Sequence, residues 1–339
     1  MKKSGAECFD SAIRSVEPQL KKLLKSIDEN MKSNAMEIRL RSEKPVVINT
    51  LEGIRFLSLN GELTKCITDD TVICTLHQVS ETFNRLCCYS VHSHISGIVK
   101  GYVTTEGGHR AGICGTAVSD REGNITSIKD VSGINLRISR EVFGSADRII
   151  NELYDGALQS IIIAGPPSSG KTTVLRDAVR QLSSYGRFHK IALIDERQEI
   201  ASVSSGIAQN DVGVNCDVFD GYPKKEAMMI ALKTMSPDII ALDEVGEESE
   251  LDAIRLSVNS GVRFIVTVHA SDYNELLYRP QIKKLIDTYS FSKLVMLKNK
   301  PVGEIGEIYD IKELRDEIIR RDNNLDIYNP DELECVFTA

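Results

Sequence analysis

Residues 161–173 read Ile-Ile-Ile-Ala-Gly-Pro-Pro-Ser-Ser-Gly-Lys-Thr-Thr, an apolar run that opens directly into Gly-x-x-x-x-Gly-Lys-Thr. Few segments restrict a fold so tightly. Residues 161–164 fit a strand buried inside a parallel sheet. Gly165 and Gly170 let the backbone turn until its N–H groups converge on phosphate oxygens. A helix starting near Lys171 adds the positive end of its dipole. The expected nucleotide cradle is therefore Gly165, Pro166, Pro167, Ser168, Ser169, Gly170, Lys171, Thr172 and Thr173. Lys171 would reach the β- and γ-phosphates and the Thr172 hydroxyl would ligate Mg²⁺.

The surrounding pattern agrees. From about residue 145 strands and helices alternate, with strands predicted at 161–164, 190–195, 238–243 and 263–268 and helices at 171–184, 224–235 and 249–260. That alternation predicts a parallel sheet covered on both faces. Two β-like segments follow, at 293–297 and 306–311, and then a polar C-terminal segment. The stretch 201–223 holds Gly206, Gly213, Gly221 and Pro223 with little periodicity, and reads as a long loop that is functional or poorly ordered.

The first 145 residues follow another pattern. Phe9, Ile13, Val16, Leu20, Leu23, Leu24 and Ile27 recur at helical spacing and predict one amphipathic helix over 9–30, capped by Asp10 or Ser11. Short strands are expected at 37–41 and 46–48, and a second helix at 69–87. Residues 97–140 are glycine-rich and β-like. Gly107-Gly108 fits a hairpin turn between Tyr102-Val103-Thr104 and Ala111-Gly112-Ile113. The expected fold class is α/β: a smaller mixed α+β domain over 1–145, then a P-loop domain with a parallel sheet over 146–339.

At 339 residues the chain has room for two domains with separate cores. Its composition, 42% hydrophobic and 27% charged, is that of a soluble globular protein, and no apolar run approaches the roughly 18 residues that span a bilayer. The basic N-terminus lacks the apolar segment of a secretory signal. Eight cysteines at irregular spacings, with no Cys-x-x-Cys, predict reduced thiols in the cytoplasm in place of a disulfide framework or a zinc site. Residues 1–150 carry 20 Lys and Arg against 18 Asp and Glu, while residues 151–339 carry 21 against 31. An acidic nucleotide-binding half argues against a broad nucleic-acid footprint. Lys21, Lys22 and Lys25 read as the solvated face of a helix.

Chemistry beyond the phosphate loop is expected where other strands end. The apolar run 238–242 leads into Asp243 and Glu244. An acid at that position holds Mg²⁺, and an adjacent glutamate polarises the water that attacks the γ-phosphate. Asp243 is thus the second expected Mg²⁺ residue beside Thr172, and Glu244 the expected water activator. The strand at 190–195 also ends in acids, and Glu196 could support the metal or the water from another side. His269, at the end of Phe264-Ile-Val-Thr-Val-His, could hydrogen-bond the γ-phosphate or the catalytic glutamate and sense hydrolysis.

Taken in order, Gly165–Thr172, Asp195-Glu196, Asp243-Glu244-Val-Gly and Thr267-Val-His269-Ala resemble the Walker A loop, acidic box, Walker B and histidine box of the secretion-ATPase branch of ring NTPases. Glu37-Ile-Arg-Leu-Arg41, Gly108-His109-Arg110-Ala-Gly112-Ile-Cys-Gly115 and Ile134-Asn-Leu-Arg137-Ile-Ser-Arg140 resemble the stage III sporulation protein AA family of endospore-forming bacteria. The resemblance runs over about residues 35–300. One departure stands out: many secretion ATPases have glycine where this chain has Asp243, which brings its metal handling nearer the general P-loop pattern.

The resemblance implies a RecA-like domain and an ATP- and Mg²⁺-dependent homo-oligomer, expected as a hexamer. It would sit on the mother-cell side, in the cytoplasm, at the base of a membrane-embedded channel facing the forespore. It also implies that arginines of the N-terminal domain or of a neighbouring subunit complete the site, with Arg110, Arg137 and Arg140 the candidates by motif position. Arg137 and Arg140 equally fit surface positions of a strand that alternates apolar and polar residues. Two other readings compete with the motor. A nucleic-acid-stimulated P-loop ATPase would call for aromatic residues among basic ones, against 6% aromatic content here. A nucleotide kinase would call for a compact arginine-rich lid, and none is visible after residue 201.

Overall fold

The computed structural model describes residues 4–153, 158–184, 186–258 and 260–325. The chain divides into two compact units, one comprising residues 1–141 and 202–210, the other 142–201 and 211–339. Each has its own hydrophobic core. Among the described residues, no helix is long and apolar enough to cross a membrane.

The first unit opens with three short helices, α1 (Gly5–Ala12), α2 (Pro18–Lys25) and α3 (Glu29–Asn34), with a single 3₁₀ turn over Ile13–Ser15. One continuous helix over 9–30 was the expectation, and local chemistry breaks it. Pro18 has no N–H to donate and begins a new helix, while the Glu17 carboxylate accepts from Gln19 and Leu20 N–H. Asp28 does the same for Asn30 and Met31. The first helix is capped neither by Asp10 nor by Ser11. Its cap is Ser4, in a reciprocal capping box with Glu7. The apolar set survives the break: Phe9, Ile13, Val16, Leu20, Leu24 and Ile27 are all buried.

These helices accompany a seven-stranded antiparallel sheet of β1 (Ala35–Arg41), β2 (Val47–Thr50), β3 (Gly53–Leu57), β4 (Leu63–Thr64), β5 (Tyr102–Thr104), β6 (Arg110–Ser119) and β7 (Ile125–Arg137), in the order β4-β3-β2-β1-β7-β6-β5. Alternation along β1 buries Ile38 and Leu40 and leaves Arg39 and Arg41 exposed. The hairpin through Gly107 and Gly108 joins β5 to β6. The second long helix, α4, covers only Leu76–Leu86, because its N-terminus is set by a Thr75–Gln78 capping box; residues 69–75, expected as helix, lie outside it. A short helix, α5 (Ile95–Val99), precedes β5.

The second unit begins with α6 (Asp147–Leu153) and carries β8 (Ile161–Gly165), β9 (Ile191–Asp195), β10 (Cys216–Asp220), β11 (Ile239–Leu242), β12 (Arg263–His269), β13 (Lys293–Leu297) and β14 (Ile305–Asp310) in the order β10-β9-β11-β12-β8-β13-β14. All neighbours run parallel except β13 and β14. Helices α7 (Lys171–Leu182), α8 (Lys224–Thr234), α9 (Glu248–Val258), α10 (Tyr273–Tyr278), α11 (Pro280–Ile286) and α12 (Ile311–Leu325) connect or follow these strands. The supposed loop 201–223 contains strand β10 and a small hairpin of Val203–Ser204 with Ile207–Ala208, the latter within the first unit. The polar segment after β14 folds as α12 up to Leu325, and its last residues lie outside the described ones.

Every residue of β8, β9 and β11 is buried, as strands covered on both faces must be. Ile162 has no exposed surface and sits in the hydrophobic cluster of the second unit. Ile162→Ala should cost about 2–5 kcal/mol of stability, read as a lower urea midpoint at unchanged slope. A loss below about 1 kcal/mol would mean that β8 is not a core strand.

Candidate nucleotide site

The site forms where β8, β9, β11 and β12 end, on the carboxyl edge of the parallel sheet, where such sheets place their ligands. After β8 the backbone takes left-handed conformations at Ser168 (φ 62°) and Gly170 (φ 93°), the kind of reversal that turns N–H groups inward. Gly170 is also pressed by another loop: a Cβ there would lie 2.8 Å from the Gly303 nitrogen. Gly303 N–H donates to the Ser169 carbonyl, so the β13–β14 loop braces the turn. Lys171, Thr172 and Thr173 then open α7, whose first-turn N–H groups have no carbonyl one turn back to bond. The nine cradle residues expected from the sequence run from the end of β8 through this turn into the first turn of α7.

Lys171 is 5% exposed. Its ammonium donates to the carbonyls of Gly165 (3.0 Å) and Pro166 (2.9 Å) and lies 3.0 Å from His269 Nδ1. Burial lowers its pKa, against the pull of Asp243 and Glu244. An ammonium can only donate, so His269 Nδ1 accepts and its proton sits on Nε2. That nitrogen is 2.8 Å from Glu244 Oε1, to which it donates. Glu244 Oε2 is paired with Arg197, the residue after the acidic box. Lys171, His269, Glu244 and Arg197 thus form one continuous chain.

A second chain joins the two residues expected at the metal. Thr172 Oγ1 donates to Asp243 Oδ2 at 2.7 Å, and Asp243 Oδ1 accepts from the buried Thr267 hydroxyl. A hydroxyl beside a carboxylate is a pair of hard oxygen donors of the kind that suits Mg²⁺ with phosphate and water completing the shell. The two expected metal residues are therefore neighbours, and they fit the ion. A cleft of about 180 Å³ opens beside Glu244, Gly246, His269 and Arg279.

The acidic box divides its labour. Asp195 is buried and accepts three backbone N–H groups, from Glu199 (2.9 Å), Ile200 (3.0 Å) and Ala201 (2.8 Å). Burial raises its pKa, partly offset by those bonds. Its work is to fold the loop that presents Glu196 and Arg197. Arg176 of α7 donates to the carbonyls of Glu199 and Ile200 and holds the same loop from the other side. Glu196 lies 3.5 Å from Lys224 Nζ, away from the Thr172–Asp243 pair in its bonding.

The arginines named from the sequence belong to the first unit. Arg140 donates to the carbonyls of Lys32 (3.4 Å) and Ala35 (2.5 Å), which ties the chain locally. Arg110 stacks over the Tyr102 ring at 3.7 Å. Arg137 is exposed, in register with Glu37 on one side and Arg110 on the other. Sequence reasoning assigned no role to Arg197, Lys224, Glu250 or Thr267. Thr267 stands inside a quoted motif and Arg197 directly follows one, so both could have been marked; Lys224 and Glu250 belong to no pattern of spacing.

Known proteins resemble this chain in sequence and in fold. The family model described as sporulation stage III, protein AA matches residues 10–316. Stage III sporulation protein AA of Bacillus subtilis (strain 168) is 33% identical over 296 residues, covering 86% of this chain and 92% of that protein. Among solved structures, the fold is shared with the Legionella pneumophila ATPase DotB (TM-score 0.55, 15% identity, 91% of this chain and 87% of that one). It is shared also with the pilus retraction motor PilT with bound ADP (TM-score 0.57, 16% identity, 86% and 85%). The architecture is that of the secretion ATPases, an N-terminal domain followed by a RecA-like domain. Extending over most of the chain, the match to the family model and to the Bacillus relative shows that this protein belongs to the stage III sporulation protein AA family.

Proposed function

We propose that the protein is a Mg²⁺-dependent ATP hydrolase that works as a homo-oligomeric motor, expected as a hexamer, on a membrane-embedded channel of the developing spore. The observation that carries the chemistry is the chain from Lys171 through His269 to Glu244 at the mouth of a phosphate loop. A glutamate at hydrogen-bonding distance from a histidine, beside a cleft and next to a Thr–Asp metal pair, is built for water activation.

Each side chain then has a task. Incoming phosphate oxygens outcompete the Gly165 and Pro166 carbonyls for Lys171, because charge-assisted bonds to an anion are stronger than bonds to neutral carbonyls. Thr172 and Asp243 would hold Mg²⁺, which when bound neutralises charge on the phosphates. Glu244 accepts a proton from water as its oxygen bonds the γ-phosphorus. The bond to the bridging oxygen breaks and its electron pair leaves with ADP. His269, relieved of Lys171, keeps its Nε2–H on Glu244 and fixes which carboxylate oxygen faces the water.

Within this reading the N-terminal domain, 1–145, serves regulation and oligomerisation and the domain 146–339 hydrolyses ATP. Of the arginines, Arg137 has the best claim to be lent to a phosphate, since Arg140 is spent on carbonyls and Arg110 is stacked. The site of action would be the cytoplasmic face of the membrane on the mother-cell side. The family assignment supports the sporulation context, and the secretion-ATPase fold supports the motor.

Lys171→Ala should lose nucleotide binding and turnover while keeping its thermal midpoint within a few degrees; turnover at the wild-type rate would end the phosphate-loop assignment. Glu244→Gln should bind ATP with wild-type affinity and turn it over about 10²–10⁴ times more slowly, which a filter-binding assay beside a phosphate-release assay distinguishes. Light-scattering mass with ATP and Mg²⁺ should show a hexamer; a particle that stays monomeric, or an ATPase rate raised strongly by single-stranded DNA, would overturn the motor.

A further inference from the structure

Lys224, at the start of α8, is 10% exposed along its side chain. Its ammonium has three partners, which matches its three protons. It donates to the Glu244 backbone carbonyl at 2.9 Å, lies 3.0 Å from Glu250 Oε1 and 3.5 Å from Glu196 Oε2. Glu250 is itself buried, and its other oxygen accepts Gly246 N–H (2.8 Å) and Glu247 N–H (3.0 Å). One ammonium thus holds the acidic-box loop, the turn after β11 and the first turn of α9.

The turn needs holding. Glu244 has φ 51°, a left-handed conformation that costs a non-glycine residue energy unless its surroundings fix it. Its N–H is pinned on the Thr267 hydroxyl at 2.8 Å and its carbonyl on Lys224. The direction of the carboxylate follows from that backbone. If the carbonyl is let go, the residue can relax toward ordinary φ and swing its carboxylate away from His269.

We infer that Lys224 is the positioning residue for hydrolysis, setting the Glu244 carboxylate through its backbone and keying it to Glu196 without touching nucleotide. The inference rests on the ATPase reading above. Its contribution falls on turnover and not on affinity, because the phosphate cradle, Lys171 and the Thr172–Asp243 pair are held by other contacts.

The test uses the full chain, with ADP affinity from a fluorescent analogue, kcat from phosphate release, and thermal midpoint. Lys224→Met should lower kcat about 10- to 100-fold, the scale of a misplaced catalytic group, with Kd for ADP within about twofold. It also leaves Glu250 buried beside an apolar side chain, so its midpoint should drop. Lys224→Met with Glu250→Gln removes that stranded charge, and should regain the midpoint while kcat stays low. Recovery of kcat together with the midpoint would mean that Lys224 only balances Glu250, and the inference would fall. So would parity of kcat between Lys224→Met and wild type. A wild-type chain that binds ADP and hydrolyses no ATP would instead overturn the ATPase reading and this inference with it.

Discussion

The site depends on an ammonium taken out of water. Lys171 is almost wholly buried, and it meets its needs with two carbonyl oxygens and one imidazole nitrogen. Such an arrangement satisfies hydrogen bonds without cancelling charge, and burial disfavours the charged form accordingly. The compensating acids, Asp243 and Glu244, stand one step removed and are each engaged with another group. Much of the local structure follows from this: the left-handed turn that aims backbone donors, the loop from β13 to β14 that braces it, and the hydrogen-bonded chain through His269. Under the proposed function, a phosphate would bring the charge that the carbonyls cannot.

What the sequence could reveal was decided by how local the cause was. The step from β8 through Gly165–Gly170 into α7 is written in consecutive residues, because strand, turn and helix each have a distinct residue preference. The strands that end at Asp195, at Leu242 just before Asp243, and at His269 were legible for the same reason: apolar runs that stop at a polar group. Strand β10 was not, since it lies at the sheet edge and only Phe219 of its five residues is fully buried, so no apolar run marks it. The helix over 9–30 misled in the opposite sense. Its apolar spacing was real, yet Pro18, Glu17 and Asp28 redirect the backbone while leaving every buried position buried.

The candidate site shows the same division. Its candidate groups could be named, but their supports could not. Lys224 meets Glu250 across 26 positions and Glu244 across 20, and no periodicity connects residues so placed. Asp195 illustrates the converse error that motif reading invites. It stands in a box of acids at a strand end, where a metal role is the obvious guess, and instead folds the following loop by accepting three N–H groups. Only the geometry shows which acid of the box builds the loop.

Glu244 concentrates what the fold has to hold against relaxation. A left-handed glutamate is costly in isolation, and a carboxylate beside a cleft is free to turn. Here the backbone N–H is fixed by Thr267, the carbonyl by Lys224, one carboxylate oxygen by His269 and the other by Arg197. Those four come from β12, the start of α8, the end of β12 and the loop after β9. A shift in any of these elements changes the direction of one carboxylate. Thr267 also holds Asp243, so one hydroxyl braces both acids, while the Lys224 ammonium reaches the backbone of Glu244 alone. In the proposed ATPase, a site wired in this way would couple phosphate at one end to the orientation of Glu244 at the other, which is what a motor would require of its hydrolysis step.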